Sequence, residues 1–132
     1  MGFEEIPHTA DWSVRVWADD LASLFVEAAR AMNSLSGMVA GQGPRLRRTF
    51  AAQGPDAESL LVAFLSELVY YQEQENLALN VFQLEVTSQK LNVEMEGGPI
   101  ERVDKAIKAV TYHNLKIEQT DKGLETTIVF DV

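Results

Sequence analysis

Pro7-His8-Thr9-Ala10-Asp11-Trp12-Ser13-Val14-Arg15-Val16-Trp17-Ala18-Asp19-Asp20-Leu21 is the stretch that decides how this chain reads. It opens as a loop. Pro7 has no amide hydrogen to donate and pushes Ile6 out of the helical region. A titratable ring, a hydroxyl and a carboxylate then follow within four positions. From Trp12 onward the apolar residues alternate through Val14, Val16 and Ala18, the period of a half-buried strand. At Asp19–Asp20 the period changes. Either aspartate can cap a helix, and Leu21, Leu24, Phe25, Ala28, Met32 and Leu35 return at helical spacing. Gly37 is a natural stop. A loop rich in functional groups therefore feeds a strand, and the strand feeds a helix.

Working outward, Phe3–Ile6 reads as a short strand ended by Pro7. Val39–Pro44 is turn-rich, with Gly41, Gly43 and Pro44. Gly41-Gln42-Gly43 is not a phosphate loop, because it lacks a third spaced glycine and a GK[ST] ending. Arg45–Ala52 is strand-like, and alternation puts Arg45 and Arg47 on one face and Leu46 and Arg48 on the other. Gly54-Pro55-Asp56 is a turn whose aspartate caps a second helix. That helix carries Leu60, Leu61, Phe64, Leu65, Leu68 and Tyr71, with Glu67 and Glu73 outside the stripe, and its polar end, Gln72–Asn76, is expected to fray.

Strands follow. Leu79, Val81, Leu84 and Val86 alternate with Phe82 out of phase, which indicates a bulge. Thr87-Ser88-Gln89 is a hairpin connection into Leu91, Val93 and Met95. Gly97-Gly98-Pro99 is the sharpest break in the sequence. The apolar run Ile107–His113 continues through Leu115 and Ile117. Asp121-Lys122-Gly123 is a hairpin turn, and Leu124, Thr126, Ile128 and Phe130 alternate to the end. Nothing divides the chain, so residues 1–132 are expected to form a single compact α+β domain, two helices packed on a mainly antiparallel β-sheet.

Composition narrows the function. The 132 residues are enough for a core without staples, and there are no cysteines, which excludes disulfides, thiolate metal sites and a thiol nucleophile. No apolar run is long enough to span a bilayer and no signal pattern precedes Phe3, so a cytoplasmic protein is expected. Twenty acidic against 11 basic residues give a formal charge of −9. Phosphate binding needs cations, so no strong direct nucleic-acid binding is expected, and a basic protein partner fits better. Arg45, Arg47 and Arg48 read as an exposed edge.

The chemistry-bearing residues are few. Asp11 stands at a strand start and Asp131 at a strand end. Antiparallel neighbours would bring the two together, with the terminal carboxylate of Val132 beside them. Such a set of hard oxygens suits calcium or magnesium. On sequence alone the simpler reading is the stronger one, because most aspartates at strand ends are just solvated. His8 and His113 are the only histidines. Each could be an acid–base group, a ligand or a surface ring, and with the aspartates they satisfy a zinc or iron site on paper. Lys108 falls on the polar face of its strand, as a surface lysine, a partner contact or a balance for the carboxylates. No nucleophile elbow, P-loop or HExxH helix is present, which leaves an enzyme reading with little support.

Pro7-His8-Thr9-Ala10-Asp11, Lys108-Ala109-Val110-Thr111-Tyr112-His113 and the ending Asp131-Val132 together resemble the archease family, over essentially the whole chain. The leucine-rich helix from Leu60 to Glu73 resembles that family's as well. The resemblance implies a small cytoplasmic accessory protein, not a ligase itself, that assists the RtcB-type RNA ligase in tRNA splicing and RNA repair. It would promote the ligase's metal-dependent guanylylation with GTP and its multiple turnover. It also implies a divalent ion, calcium with magnesium or manganese as alternatives, held by Asp11, Asp131 and an oxygen of Val132. Lys108 is implied in activity, and His8 is placed with it as a partner residue. A monomer or weak oligomer is expected. A chaperone-like binding module without a dedicated ligase partner is the alternative.

Overall fold

The computed structural model describes residues 1–6 and 12–132. Strand β1 (Gly2–Ile6) lies antiparallel to β2 (Trp12–Ala18), with Gly2 opposite Trp17 and Ile6 opposite Ser13. On β2, Val14, Val16 and Ala18 are fully buried, as their alternation requires.

Helix α1 (Leu21–Ser36) begins at Asp20, whose extended backbone lets its carboxylate accept the Ser23 N–H at 2.7 Å. It ends at Gly37, with φ +67. The Gly37 N–H donates to Ser34 O (3.1 Å) and the Met38 N–H to Asn33 O (3.0 Å), a Schellman closure that favours glycine.

The Asp20 cap gives a first test. The Ser23 backbone and side-chain hydrogen bonds hold the Asp20 carboxyl below its ordinary value of 3.8. A folded pKa below the unfolded one means stability that is present above pH 3.8 and is lost as pH falls through the lowered value. Asp20→Ala is expected to cost about 1 kcal/mol at neutral pH, and the deficit should shrink in acid, read by urea unfolding at both pH values.

Two residues of the glycine-rich connection, β3 (Val39–Ala40), pair with the far end of a later strand. Strand β4 (Leu46–Gln53) then leads to α2 (Ala57–Glu75), capped by Asp56 through the Ser59 N–H at 2.8 Å. The expected fraying of Gln72–Asn76 is not found, and α2 stays helical through Glu75. Asn76 turns left-handed (φ 51) and its N–H donates to Tyr71 O, while Arg48 pairs with Glu75. The cap and the ion pair hold an end whose composition alone favours coil.

Strand β5 (Leu77–Val86) and β6 (Lys90–Arg102) form the longest hairpin. Its register shifts between Leu79 and Val81, so a bulge exists close to where the phase slip placed it. Gly97-Gly98-Pro99 does not break the chain, because all three lie inside β6. The reason is close approach: a Cβ on Gly97 would stand 1.9 Å from the Ala78 carbonyl oxygen. Glycine is needed there to let β6 pass the bulge, not to turn. The apolar run after Ile107 is strand only at β7 (Ala109–Val110), and a turn follows it. Strand β8 (Glu118–Thr120) and β9 (Gly123–Asp131) meet through the expected tight turn, with Thr120 opposite Gly123.

The strands form two antiparallel sheets. In one the order is β1-β2-β9-β7, with β8 also on β9; in the other β6 lies between β4 and β5, and β3 extends from its end. Helix α1 packs on β2, β1 and β5, and α2 on β5, β4 and β7, so the helices join the sheets. Phe64 of α2 stacks on Phe25 of α1 (6.0 Å, 16°) and meets Phe82 of β5 edge-on (5.7 Å, 85°). The α+β reading holds. No described helix is long and apolar enough to cross a membrane.

The arginine cluster does lie at a sheet edge. Arg45 donates to Asn80 Oδ1 (2.9 Å) and pairs with Glu96 (3.3 Å), Arg47 also approaches Glu96 (3.8 Å), and Arg48 pairs with Glu75. Glu96 is shared by Arg45 and Arg47 and Glu75 answers Arg48, so two acids offset most of the positive charge of three arginines.

Candidate functional site at the β2–β9 end

Strand β2 starts where β9 ends: Trp12 stands opposite Phe130 in the antiparallel register. The polypeptide is drawn into this pairing by its core face. Val14, Val16, Ile128 and Phe130 are all fully buried, and shifting the register by one residue would turn them outward. Apolar patterning therefore places Asp131 one residue past the last β2–β9 pair.

Strand β7 closes the other side of β9. Ala109 is opposite Asp131, the Lys108 N–H donates to the Asp131 carbonyl oxygen at 2.8 Å, and the Thr111 N–H to Val129 O at 3.0 Å. Asp131 and Lys108 are both exposed. The lysine is thus fixed beside the aspartate through its backbone, with its side chain in solvent. Among the described residues no Lys, Arg or His lies within ion-pair distance of the Asp131 carboxylate. Val132 is partly buried and packs against the core.

Asp11 and His8, the other expected site residues, lie outside the described residues. Among those described, no group of three or more His, Asp or Glu side chains is placed to hold a metal ion. The donors the structure does show here, the Asp131 carboxylate and the oxygens of Val132, are hard oxygens. They fit calcium, magnesium or manganese and not a soft metal.

His113 is exposed and belongs to a turn next to this end. Its N–H donates to Thr111 Oγ1 (3.2 Å), and the Asn114 amide reaches its Nε2 (3.2 Å). Asn114 is left-handed (φ 53), and the Leu115 N–H returns to Tyr112 O at 3.0 Å. The ring is hydrogen-bonded, as a structural histidine would be, but it is not buried.

One residue escaped the sequence reading. Glu58, in the first turn of α2, accepts the Ile117 N–H on Oε2 at 3.0 Å. That bond ties the segment after His113 to a helix 59 positions earlier. No local pattern signals a contact across such a separation.

The model of the Archease protein family (MTH1598/TM1083) matches residues 3–132. Protein archease of Methanopyrus kandleri is 33% identical over 140 residues, covering 100% of both chains. That of Archaeoglobus fulgidus is 31% identical over 137 residues, again covering 100% of both. Among solved structures, an archease from Thermotoga maritima, described as a possible chaperone, superposes with a TM-score of 0.70 at 22% identity, covering 98% of this chain and 96% of the other. The solution structure of Methanobacterium thermoautotrophicum protein 1598 gives 0.71 at 22% identity and 99% coverage of each. At that identity the two structures speak for the fold, and the sequence match over the whole chain speaks for more: this chain belongs to the archease family.

Proposed function

We propose that this protein is a non-catalytic, archease-type accessory factor that activates an RtcB-type RNA ligase. It would promote the ligase's guanylylation with GTP and its multiple turnover in tRNA splicing and RNA repair. The observation that supports the reading is the β2–β9 register, with Trp12 opposite Phe130, which brings the start of β2 and the end of β9 together at one sheet end. Family membership supports an archease-type accessory role, and the ligase as its partner is part of the proposal.

In this reading Asp131, Asp11 and an oxygen of Val132 hold a divalent cation, calcium with magnesium or manganese as alternatives. When bound, such a cation supplies concentrated positive charge able to bridge anionic oxygens. The chain's own residues do the rest. The backbone hydrogen bond from the Lys108 N–H to the Asp131 carbonyl oxygen keeps these two residues adjacent at one sheet edge. Lys108, and His8 with it, then meet the ligase while the carboxylates face its metal and nucleotide site.

The test is a guanylylation assay with limiting ligase, paired with calorimetric titration of calcium, magnesium and manganese. Asp131→Ala and Asp11→Ala are each expected to weaken metal binding by about tenfold or more and to lose stimulation together with it. Lys108→Ala should lose stimulation and keep metal binding. If both aspartate variants stimulate as well as the parent protein, the carboxylate pair is not the active feature.

A second reading has one observation in its favour, the description of the Thermotoga maritima relative as a possible chaperone. It predicts broad suppression of aggregation that does not depend on Asp11 or Asp131, and no enrichment of the ligase in a pull-down.

A further inference from the structure

The sheet of β4, β6 and β5 buries one face and leaves the other in water. Phe50, Leu91, Val93 and Leu84 turn inward to the core. Between them Thr49, Gln83, Glu85, Asn92 and Glu94 stand exposed. This outer face is an open trough of about 770 Å³. Smaller depressions continue it toward Arg47 and Glu96 at one end and toward Gln53 and Lys90 at the other.

Charge is distributed unevenly along it. Glu96 is answered by Arg45 and Arg47 at 3.3 and 3.8 Å. Glu85 and Glu94, at the centre, have no cation within ion-pair distance among the described residues. Among the described residues they are also the only charged side chains lining the central part of the trough. Its floor is therefore anionic, surrounded by the hydroxyl and amide groups of Thr49, Gln83 and Asn92.

The register sets a spacing. Glu94 is opposite Gln83, and Glu85 is opposite Asn92. The two carboxylates thus sit on neighbouring strands at a diagonal of roughly 7–8 Å. An extended peptide repeats its same-side residues every ~6.7 Å. We infer that this trough is the docking site for an extended segment of a protein partner carrying Lys or Arg at alternate positions. Two successive basic side chains reach Glu94 and Glu85, and the amides and hydroxyl take hydrogen bonds from the segment's backbone.

Charge decides against the other occupants. An RNA phosphate would meet an acidic floor. A second copy could offer Arg45 and Arg47, which have the right spacing, but both are already engaged by Glu96 and Asn80 of their own chain. The protein's charge of −9 also draws a basic segment in from solution. The trough belongs to a different sheet from Asp131, so it stands or falls apart from the ligase reading.

The experiment is fluorescence anisotropy on the full chain with two labelled peptides of equal composition. In one Lys alternates with Thr; in the other the lysines form a block. The alternating peptide should bind about tenfold tighter, and Glu85→Gln/Glu94→Gln should weaken it by about tenfold. Glu73→Gln/Glu101→Gln makes the same charge change at exposed sites elsewhere and should leave binding nearly unchanged. Equal binding of the two peptides overturns the proposal, as does an equal loss in the control pair. Self-association in sedimentation, abolished by Glu85→Gln/Glu94→Gln, overturns it in favour of a second copy. Tighter binding of a single-stranded RNA oligonucleotide at the same residues overturns it as well.

Discussion

Phe64→Ala is expected to lower the unfolding free energy by about 3–5 kcal/mol, the range for emptying a buried aromatic site. Phe64 is fully buried on α2. Its ring is the middle of a three-ring stack, face on to Phe25 of α1 and edge on to Phe82 of β5. Few direct contacts join α1 to α2, so this stack carries much of what the helices share. The surrounding residues come from two helices and a sheet and cannot collapse together into the space. Urea unfolding should show a lower midpoint with an unchanged slope, the sign of lost stability without a changed denatured state. A loss below about 1 kcal/mol would mean that the surrounding side chains do collapse into the emptied space.

Gly97→Ala is expected to cost about 2–3 kcal/mol, a large penalty for one methyl group. The added carbon would lie 1.9 Å from Ala78 O, 2.6 Å from Ala78 C and 2.7 Å from Leu79 Cα. These are backbone atoms of a paired strand, and no flexible side chain can give way. Relief requires β5 to move off β6 at the bulge. Gly98→Ala is the control. Its nearest neighbours would be Gly41 O at 3.3 Å and Pro44 O at 3.9 Å, so it should cost far less. Thermal unfolding of the two variants side by side decides the matter. Equal losses would show that the close approach to Ala78 does not set the cost at Gly97, since the lowered unfolded-chain entropy of alanine acts in the opposite direction at both positions.

These two positions also show what the sequence could and could not disclose. Phe64 was legible, because helical spacing through Leu60, Leu61, Phe64, Leu65 and Leu68 depends only on residues close in the chain. The alternations in β2, β6 and β9 were legible for the same reason, and so were both aspartate caps. Gly97-Gly98-Pro99 was misread. Glycine and proline signal turns when judged locally, but here the glycine answers a neighbouring strand that is distant in sequence. The end of α2 was misread likewise, since Arg48 and the Asn76 conformation hold it. The subdivision into two sheets was not visible either, because alternation says which face is buried and not which strand is adjacent.

For the candidate site, the strand-start and strand-end positions foretold the meeting of β2 with the end of β9. Lys108 was placed on a solvent face, and it is exposed. Its backbone bond to Asp131 and the Glu58 bond to Ile117 arise only in the folded chain, between residues far apart in sequence. So does the outward trough. Its charged residues look in sequence like the ordinary polar half of amphipathic strands.

Both tryptophans of the chain lie on β2, at its two ends and on opposite faces. Trp12, opposite Phe130, packs against the core beside the Asp131 end. Trp17 is on the outer face, with the Lys122 ammonium 4.3 Å above its ring. One strand thus carries two indoles in unlike electrostatic surroundings, the second shadowed by a positive charge. The protein owns a pair of optical reporters without any label: ultraviolet emission from Trp12 follows the carboxylate end, and that from Trp17 follows the hairpin at the far end of the same ribbon.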